Sequence, residues 1–97
     1  MAETKDTPLS REDVLANLRE FVLENVVKDS EADIDGRTPL LELGILNSLS
    51  TAELIAHVRA EFGVFVPPER IFGSNFKNLE AVTSLVLALR EEYSETA

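Results

Sequence analysis

Hydrophobic side chains fall at helical spacing three times along this chain. Val14, Leu18, Phe21, Val22 and Val26 make the first stripe, with Arg11, Glu20 and Glu24 away from it. Ser10-Arg11-Glu12-Asp13 ahead of it resembles a capping box, with Asp in place of the usual Glu or Gln. A helix is predicted from there to about residue 27. Thr51, Leu54, Ile55, Val58 and Phe62 make the second stripe, on a helix predicted over 48–62 and closed by Gly63 as a left-handed cap. Ile55 and Val58 are expected in the core. The third stripe is Val82, Leu85, Val86 and Leu89, behind Asn78 as N-cap, on a helix predicted from 79 to about 92.

The segments between are less regular. Residues 28–43 make a long connection, acidic at first through Asp29, Glu31, Asp33 and Asp35, then carrying Gly36. Thr38-Pro39 reads as a cap followed by proline at the first helical position. A short turn of helix over 40–43 is expected to tuck its leucines under the bundle. Val64-Phe65-Val66 is a short extended piece, one helical turn is expected over 68–72, and Gly73-Ser74-Asn75 signals a turn. No repeat and no useful strand alternation is present. The expected fold is all-α, a small four-helix bundle of three longer helices plus a short one. Residues 1–9 are expected to be a disordered lead-in, 10–92 the folded domain and 93–97 a frayed tail.

Ninety-seven residues, 44% of them hydrophobic, bury one modest core. There is no cysteine, which excludes disulfides, thiolate metal sites and a cysteine nucleophile. The single histidine is too little for a His-rich metal site. A net charge of −9 argues against nucleic acid and against anionic membrane surfaces, and favours protein partners with basic patches. The longest aliphatic run, Leu85-Val86-Leu87-Ala88-Leu89, is far too short to span a bilayer. No signal peptide is visible, so a cytoplasmic location is the default expectation, and a monomer is expected.

Candidate chemistry concentrates in Gly44-Ile45-Leu46-Asn47-Ser48-Leu49. A turn glycine and two aliphatic residues lead into Asn-Ser, and the second helix begins at once. One hydroxyl is thereby placed at a helix N-terminus, before unpaired N–H groups and the positive end of the helix dipole. A phosphate ester is electrostatically favoured there. Ordinary capping by Ser48 or Asn47 accounts for the same residues. On the predicted helix, Leu49, Ala52, Glu53, Ala56 and Ala60 fall opposite the buried stripe and make a small, apolar face suited to close approach by a partner. Val66 and the 71–76 loop, with Ile71 and Phe72, are further candidate partner contacts.

Other constellations carry less. Glu31, Asp33, Asp35, Gly36 and Glu42 overlay the spacing of a calcium loop, but its first position is Glu, Pro39 interrupts the ligand path and Gly44 stops the exit helix. No metal ligands are assigned. His57 lies nine residues beyond Ser48 on one helix, about 13 Å at 1.5 Å per residue, so no catalytic triad forms. A surface position is expected for it. Glu12/Asp13 and Glu91/Glu92 read as solvated helix-face pairs, and Gly44 and Gly73 lack the spacing of a phosphate loop. No catalytic residue is assigned.

Thr38-Pro39-Leu40-Leu41-Glu42-Leu43-Gly44-Ile45-Leu46-Asn47-Ser48-Leu49 resembles the attachment segment of acyl and peptidyl carrier proteins. Phe62-Gly63-Val64 with the following prolines, and Asn78-Leu79-Glu80-Ala81-Val82, extend the resemblance over roughly residues 10–90, most of the chain. It implies 4'-phosphopantetheine attached to Ser48 and flanked by Asn47 and Leu49. The group would come from coenzyme A through a phosphopantetheinyl transferase and carry acyl or aminoacyl thioesters. The chain would then be a shuttle, not an enzyme, docking through Leu49, Ala52, Glu53 and Ala56. Asn47 replaces the family's commoner Asp, and helix two is less acidic than in fatty-acid carriers. The Gly-Ile-Leu-Asn-Ser wording and Phe76-Lys77-Asn78-Leu79 are most similar to free-standing peptidyl carriers that hold proline during its oxidation to a pyrrole thioester. That similarity implies nonribosomal peptide or antibiotic biosynthesis in secondary metabolism. An adenylating ligase, a flavin dehydrogenase and other tailoring or condensing enzymes would be the partners. The alternatives are a carrier of a polyketide or other acyl pathway and, in another class, an acidic interaction or calcium-binding module.

Overall fold

The computed structural model describes residues 10–29, 32–71 and 73–96, with the side chains of 73 and 93–96 left aside. Helix α1 is Arg11–Phe21 and continues as a π-helical turn over Val22–Val27. Helix α2 is Ser48–Phe62 and α3 is Leu79–Thr96, with 3₁₀ turns at Pro68–Arg70 and Gly73–Phe76 between them. Among the described residues there is no strand. The predicted lead-in, residues 1–9, lies outside the described residues.

Local sequence accounts for the helix ends. Ser10 accepts the Asp13 N–H at 3.0 Å, and Asn78 accepts the Ala81 N–H at 2.8 Å. Gly63, with φ of +67°, closes α2 in the left-handed conformation. The first helix has no glycine at its exit; Lys28 takes up φ of +62° instead, and its N–H donates to the Leu23 carbonyl. At the other end α3 does not stop near Glu92. Residues 93–96, within the expected 93–97 tail, continue α3, with no glycine or proline to interrupt the pattern, and residue 97 lies outside the described residues.

Each long helix contributes an apolar face to one core. Val14 and Leu18 come from α1, Leu54 and Val58 from α2, and Val82, Val86 and Leu89 from α3. Ile55 was expected in this core; it is half-buried at the core's margin. The long connection is tied down on both sides. The Arg19 guanidinium donates to the Ile34 carbonyl, Leu40 N–H donates to Lys77 O at 2.8 Å, and Glu80 N–H donates to Gly36 O at 3.0 Å. Gly36 allows this last approach: a Cβ there would lie 2.7 Å from Glu80 Cγ.

The short fourth helix takes the form of successive turns over 40–44, held by Leu43 N–H to Pro39 O and Gly44 N–H to Leu41 O. Its leucines do not all tuck under the bundle. Leu40 is buried, while Leu41 and Leu43 are 44% and 61% exposed. Thr38 does not cap it; its hydroxyl accepts the Asp35 N–H and closes a turn within the acidic loop.

Thr83 in α3 is fully buried, and its hydroxyl has no hydrogen-bond partner among the described residues. Thr83→Val keeps the shape and removes an orphaned polar atom. It is expected to raise stability by about 1 kcal/mol, or roughly 4–8 °C in Tm, read by thermal denaturation.

Candidate functional site

The site is the junction between the long connection and α2. Gly44, with φ of +75°, turns the chain, and Leu46 anchors it as a buried side chain. Asn47 is extended and is the N-cap: its Oδ1 accepts the Leu49 and Ser50 N–H groups at 2.9 and 3.0 Å. Ser50 answers by accepting the Asn47 N–H at 2.9 Å, which completes a capping box. The sequence left open whether Ser48 or Asn47 caps this helix. Ser48 is instead the first helical residue and exposed, so its hydroxyl stays outside the cap. Two first-turn N–H groups that seemed open to an anion, those of Leu49 and Ser50, are taken by Asn47, and what remains to favour negative charge beside Ser48 is its own N–H and the helix dipole.

Ser48 borders a cleft of about 450 Å³. Its walls are Leu41, Thr51, Ala52, Ile55, Ile71 and Phe76, so the space beside the hydroxyl is mainly apolar. On the other side of α2 a second cleft, of about 430 Å³, runs between Val26, Val27 and Lys28 and the Ile45, Leu49 and Glu53 side.

The structure distributes the expected docking residues unevenly. Leu49 is 69% exposed, and Ala52, Glu53, Ala56 and Ala60 are exposed with it. Ile71 is half-buried in the cleft wall. Val66 was expected as a partner contact, and this is corrected: it is only 3% exposed and part of the core. The extended piece alternates, so Val64 and Val66 point inward while Phe65 faces out near the Arg59 guanidinium. Phe76, at the end of the candidate 71–76 loop, is likewise buried. Phe72 lies outside the described residues. Ser50 and Leu41 were not anticipated. A Ser three residues after an Asn cap was the available signal for the first.

His57 is half-buried rather than a surface residue. Its ring stacks on Phe21 at 4.2 Å between centroids, and Nε2 lies 2.6 Å from Asn17 Oδ1. Asn17 in turn donates to Glu61. Burial of the ring holds His57 below the usual histidine value of 6.5, with the Glu61 carboxylate partly opposing. The unfolded chain therefore binds the extra proton first as pH falls. Stability should be full above about pH 6.5 and decline below it, toward the lowered folded-state value. Melting temperature is expected to drop between about pH 7.5 and 5.5, and to drop less in His57→Phe. Equal slopes in the two proteins would refute it.

The Asp35 carboxylate is bonded within the acidic loop. Asp35 accepts from the Arg37 N–H and the Thr38 hydroxyl, and chiefly the former holds its carboxyl below the usual range. Glu31 lies outside the described residues. Among the described residues no three metal-ligating side chains cluster, and no helix is long and apolar enough to cross a membrane.

The described residues form a small helical bundle with an exposed serine at the first position of α2. The family model described as "Phosphopantetheine attachment site" matches residues 18–86, and the chain belongs to this family of carrier proteins. Its domain is the site of covalent 4'-phosphopantetheine attachment. The chain is 33% identical over 63 residues to the probable acyl carrier protein PigG of Serratia sp., covering 64% of this chain and 72% of that one. It is 30% identical over 74 residues to aminoacyl carrier protein 2 of Bradyrhizobium diazoefficiens, covering 76% and 79%. A chain in a solved structure described as "Crystal structure of FAD-dependent dehydrogenase" superposes with a TM-score of 0.69 at 37% identity, covering 72% of this chain and 99% of that one. The residues at the α2 junction fit such a group: a solvent-facing hydroxyl, the positive end of a helix and an apolar cleft alongside.

Proposed function

We propose that Ser48 bears the phosphopantetheine and that the chain is a peptidyl carrier holding a prolyl group, later pyrrolyl, as a thioester. The observation that carries the reading is the Ser48 hydroxyl, left exposed at the first position of α2 because Asn47 does the capping. In the transfer, Ser48 Oγ bonds to the phosphorus that bears the pantetheine in coenzyme A. The pyrophosphate P–O bond breaks, adenosine 3',5'-bisphosphate leaves, and the hydroxyl proton passes to a base of the transferase. The attached group supplies a thiol, which a chain without cysteine lacks. Leu49, Ala52, Glu53 and Ala56 offer partners a flat, exposed face beside that hydroxyl, and Ile71 adds its half-buried edge.

The cargo and partners rest on similarity. One relative is an aminoacyl carrier. The matching chain in the FAD-dependent dehydrogenase structure is almost wholly covered by part of this one, so it is itself shorter than 97 residues. A chain that short is a single small domain, which supports a flavin dehydrogenase as a partner. An adenylating ligase would load the prolyl group. Its oxidation to pyrrolyl removes four electrons and four protons in two two-electron steps, each reducing the dehydrogenase's flavin, which an external electron acceptor such as dioxygen or an electron-transfer protein reoxidises after each step. The acyl-carrier relative favours a second reading, a carrier of a polyketide or other acyl pathway.

Intact-mass spectrometry after incubation with coenzyme A and a broad-specificity transferase should show one added phosphopantetheinyl group. An unchanged mass with several such transferases would sink the attachment. Loading the modified chain with a cognate adenylating ligase should then favour proline over other amino acids. Preference for another amino acid, or for a malonyl or acetyl group, would remove the prolyl assignment alone.

A further inference from the structure

We propose that Ser50 is a positioning residue for Ser48, clamping the approach loop to α2 so that the neighbouring hydroxyl is held for phosphopantetheinyl transfer. This rests on Ser48 being the attachment residue. Ser50 is the third residue of α2 and only 7% exposed, while Ser48 and Leu49 just before it face solvent. Its hydroxyl accepts the Asn47 N–H at 2.9 Å and lies 3.1 Å from the Ile45 carbonyl and 3.3 Å from Asn47 Oδ1. A hydroxyl has one proton, and the shorter distance assigns it to Ile45. Ser50 thus ties two successive parts of the loop, residues 45 and 47, to the first turn of the helix from its buried side. Ser48 is the residue between the tied loop and the tied helix, so its backbone has little room to turn.

The alternative is a cap that supports α2 and nothing more. The geometry separates the two roles. Asn47 Oδ1 caps the Leu49 and Ser50 N–H groups directly, and Thr51 N–H reaches Asn47 O at 2.8 Å, so the start of the helix survives without the Ser50 hydroxyl. What is lost without it is the bond to the Ile45 carbonyl and the acceptor for the Asn47 N–H. The Ile45 and Leu46 N–H groups stay bonded to Leu40 O, so what loosens is the link from Leu46 to Ser48 that leads into α2. A transferase that docks on the exposed face of α2 would still bind, but would find the Ser48 hydroxyl displaced from the phosphorus it attacks. A misplacement of about 1 Å is enough to cost large factors in rate.

The test is steady-state phosphopantetheinylation of the full apo chain by one transferase with coenzyme A. Wild type, Ser50→Ala, Ser50→Thr and Ser48→Ala are compared. Wild type is expected to be modified and Ser48→Ala not. Ser50→Ala is expected to remain helical and lose about tenfold in kcat, with KM within about twofold. Ser50→Thr, which keeps the hydroxyl, should recover most of the rate. If Ser50→Ala fails to fold, Ser50→Cys, of similar size but a weak donor and acceptor, carries the same expectation. Wild-type kinetics in the alanine or cysteine variant, a change confined to KM, or a folded threonine variant as slow as alanine would each overturn the positioning role. A wild-type chain that is never modified would overturn the Ser48 reading instead, so the two failures are distinct.

Discussion

Ser48→Ala should leave the helical content and melting temperature of this protein unchanged while abolishing its modification. The two halves of that result rest on different observations. Ser48 is exposed and is not the cap, since the first-turn N–H groups of Leu49 and Ser50 go to Asn47. Replacing an exposed residue that makes no such bond changes stability by no more than about 0.5 kcal/mol, and alanine is the better helix former. Asn47→Ala, by contrast, removes the cap and is expected to cost about 0.5–2 kcal/mol. Modification has no such tolerance, because the ester needs the oxygen that alanine lacks. Circular dichroism melts beside intact-mass spectra of the two variants after transferase treatment check both halves. A Ser48→Ala chain that still gains the group would move the attachment elsewhere. One that melts several degrees early would return the capping role to Ser48.

Phe76→Ala carries the largest expected loss of stability. Phe76 is 1% exposed and the largest fully buried side chain described. It sits where the second 3₁₀ turn meets the core and also lines the cleft beside Ser48. Truncating a buried phenylalanine costs about 3–5 kcal/mol, because transfer free energy is lost and a cavity remains. Small domains hold only about 5–15 kcal/mol in total, so this is a large share. Tm should fall by roughly 12 °C or more. Phe76→Leu keeps much of the volume and should fall far less. Urea midpoints for both variants give the same comparison at constant temperature. A shift of only a few degrees for alanine would mean that neighbouring side chains collapse into the gap.

The acidic loop shows how a correct local pattern can serve a different purpose. Thr38, Pro39 and the acidic spacing read as a cap and as an imperfect calcium loop. In the fold, Asp35 and Thr38 bond to each other and to nearby N–H groups, and Gly36 lets the backbone touch the start of α3. The spacing reflects a turn and a close crossing. Val66 and Phe76 are the reverse case: two apolar residues in a Pro- and Gly-punctuated stretch looked available to a partner, and the core takes both.

What the chain determined by itself was whatever depends on neighbours within a turn or two. The three helices follow from apolar spacing, and their ends from Ser10, Gly63 and Asn78, since propensity, capping and periodicity are short-range effects. The placement of Ser48 at a helix start was legible for the same reason. The choice of Asn47 over Ser48 as cap, with Ser50 bonded back to Ile45, was left open by the sequence and set by the backbone angles of the junction, while tertiary structure alone decided that His57 stacks on Phe21 and that Val66 is covered while Phe65 is not. Each of these depends on backbone angles at a junction or on packing between elements distant along the chain. A helical repeat carries no record of which neighbour will arrive to cover it.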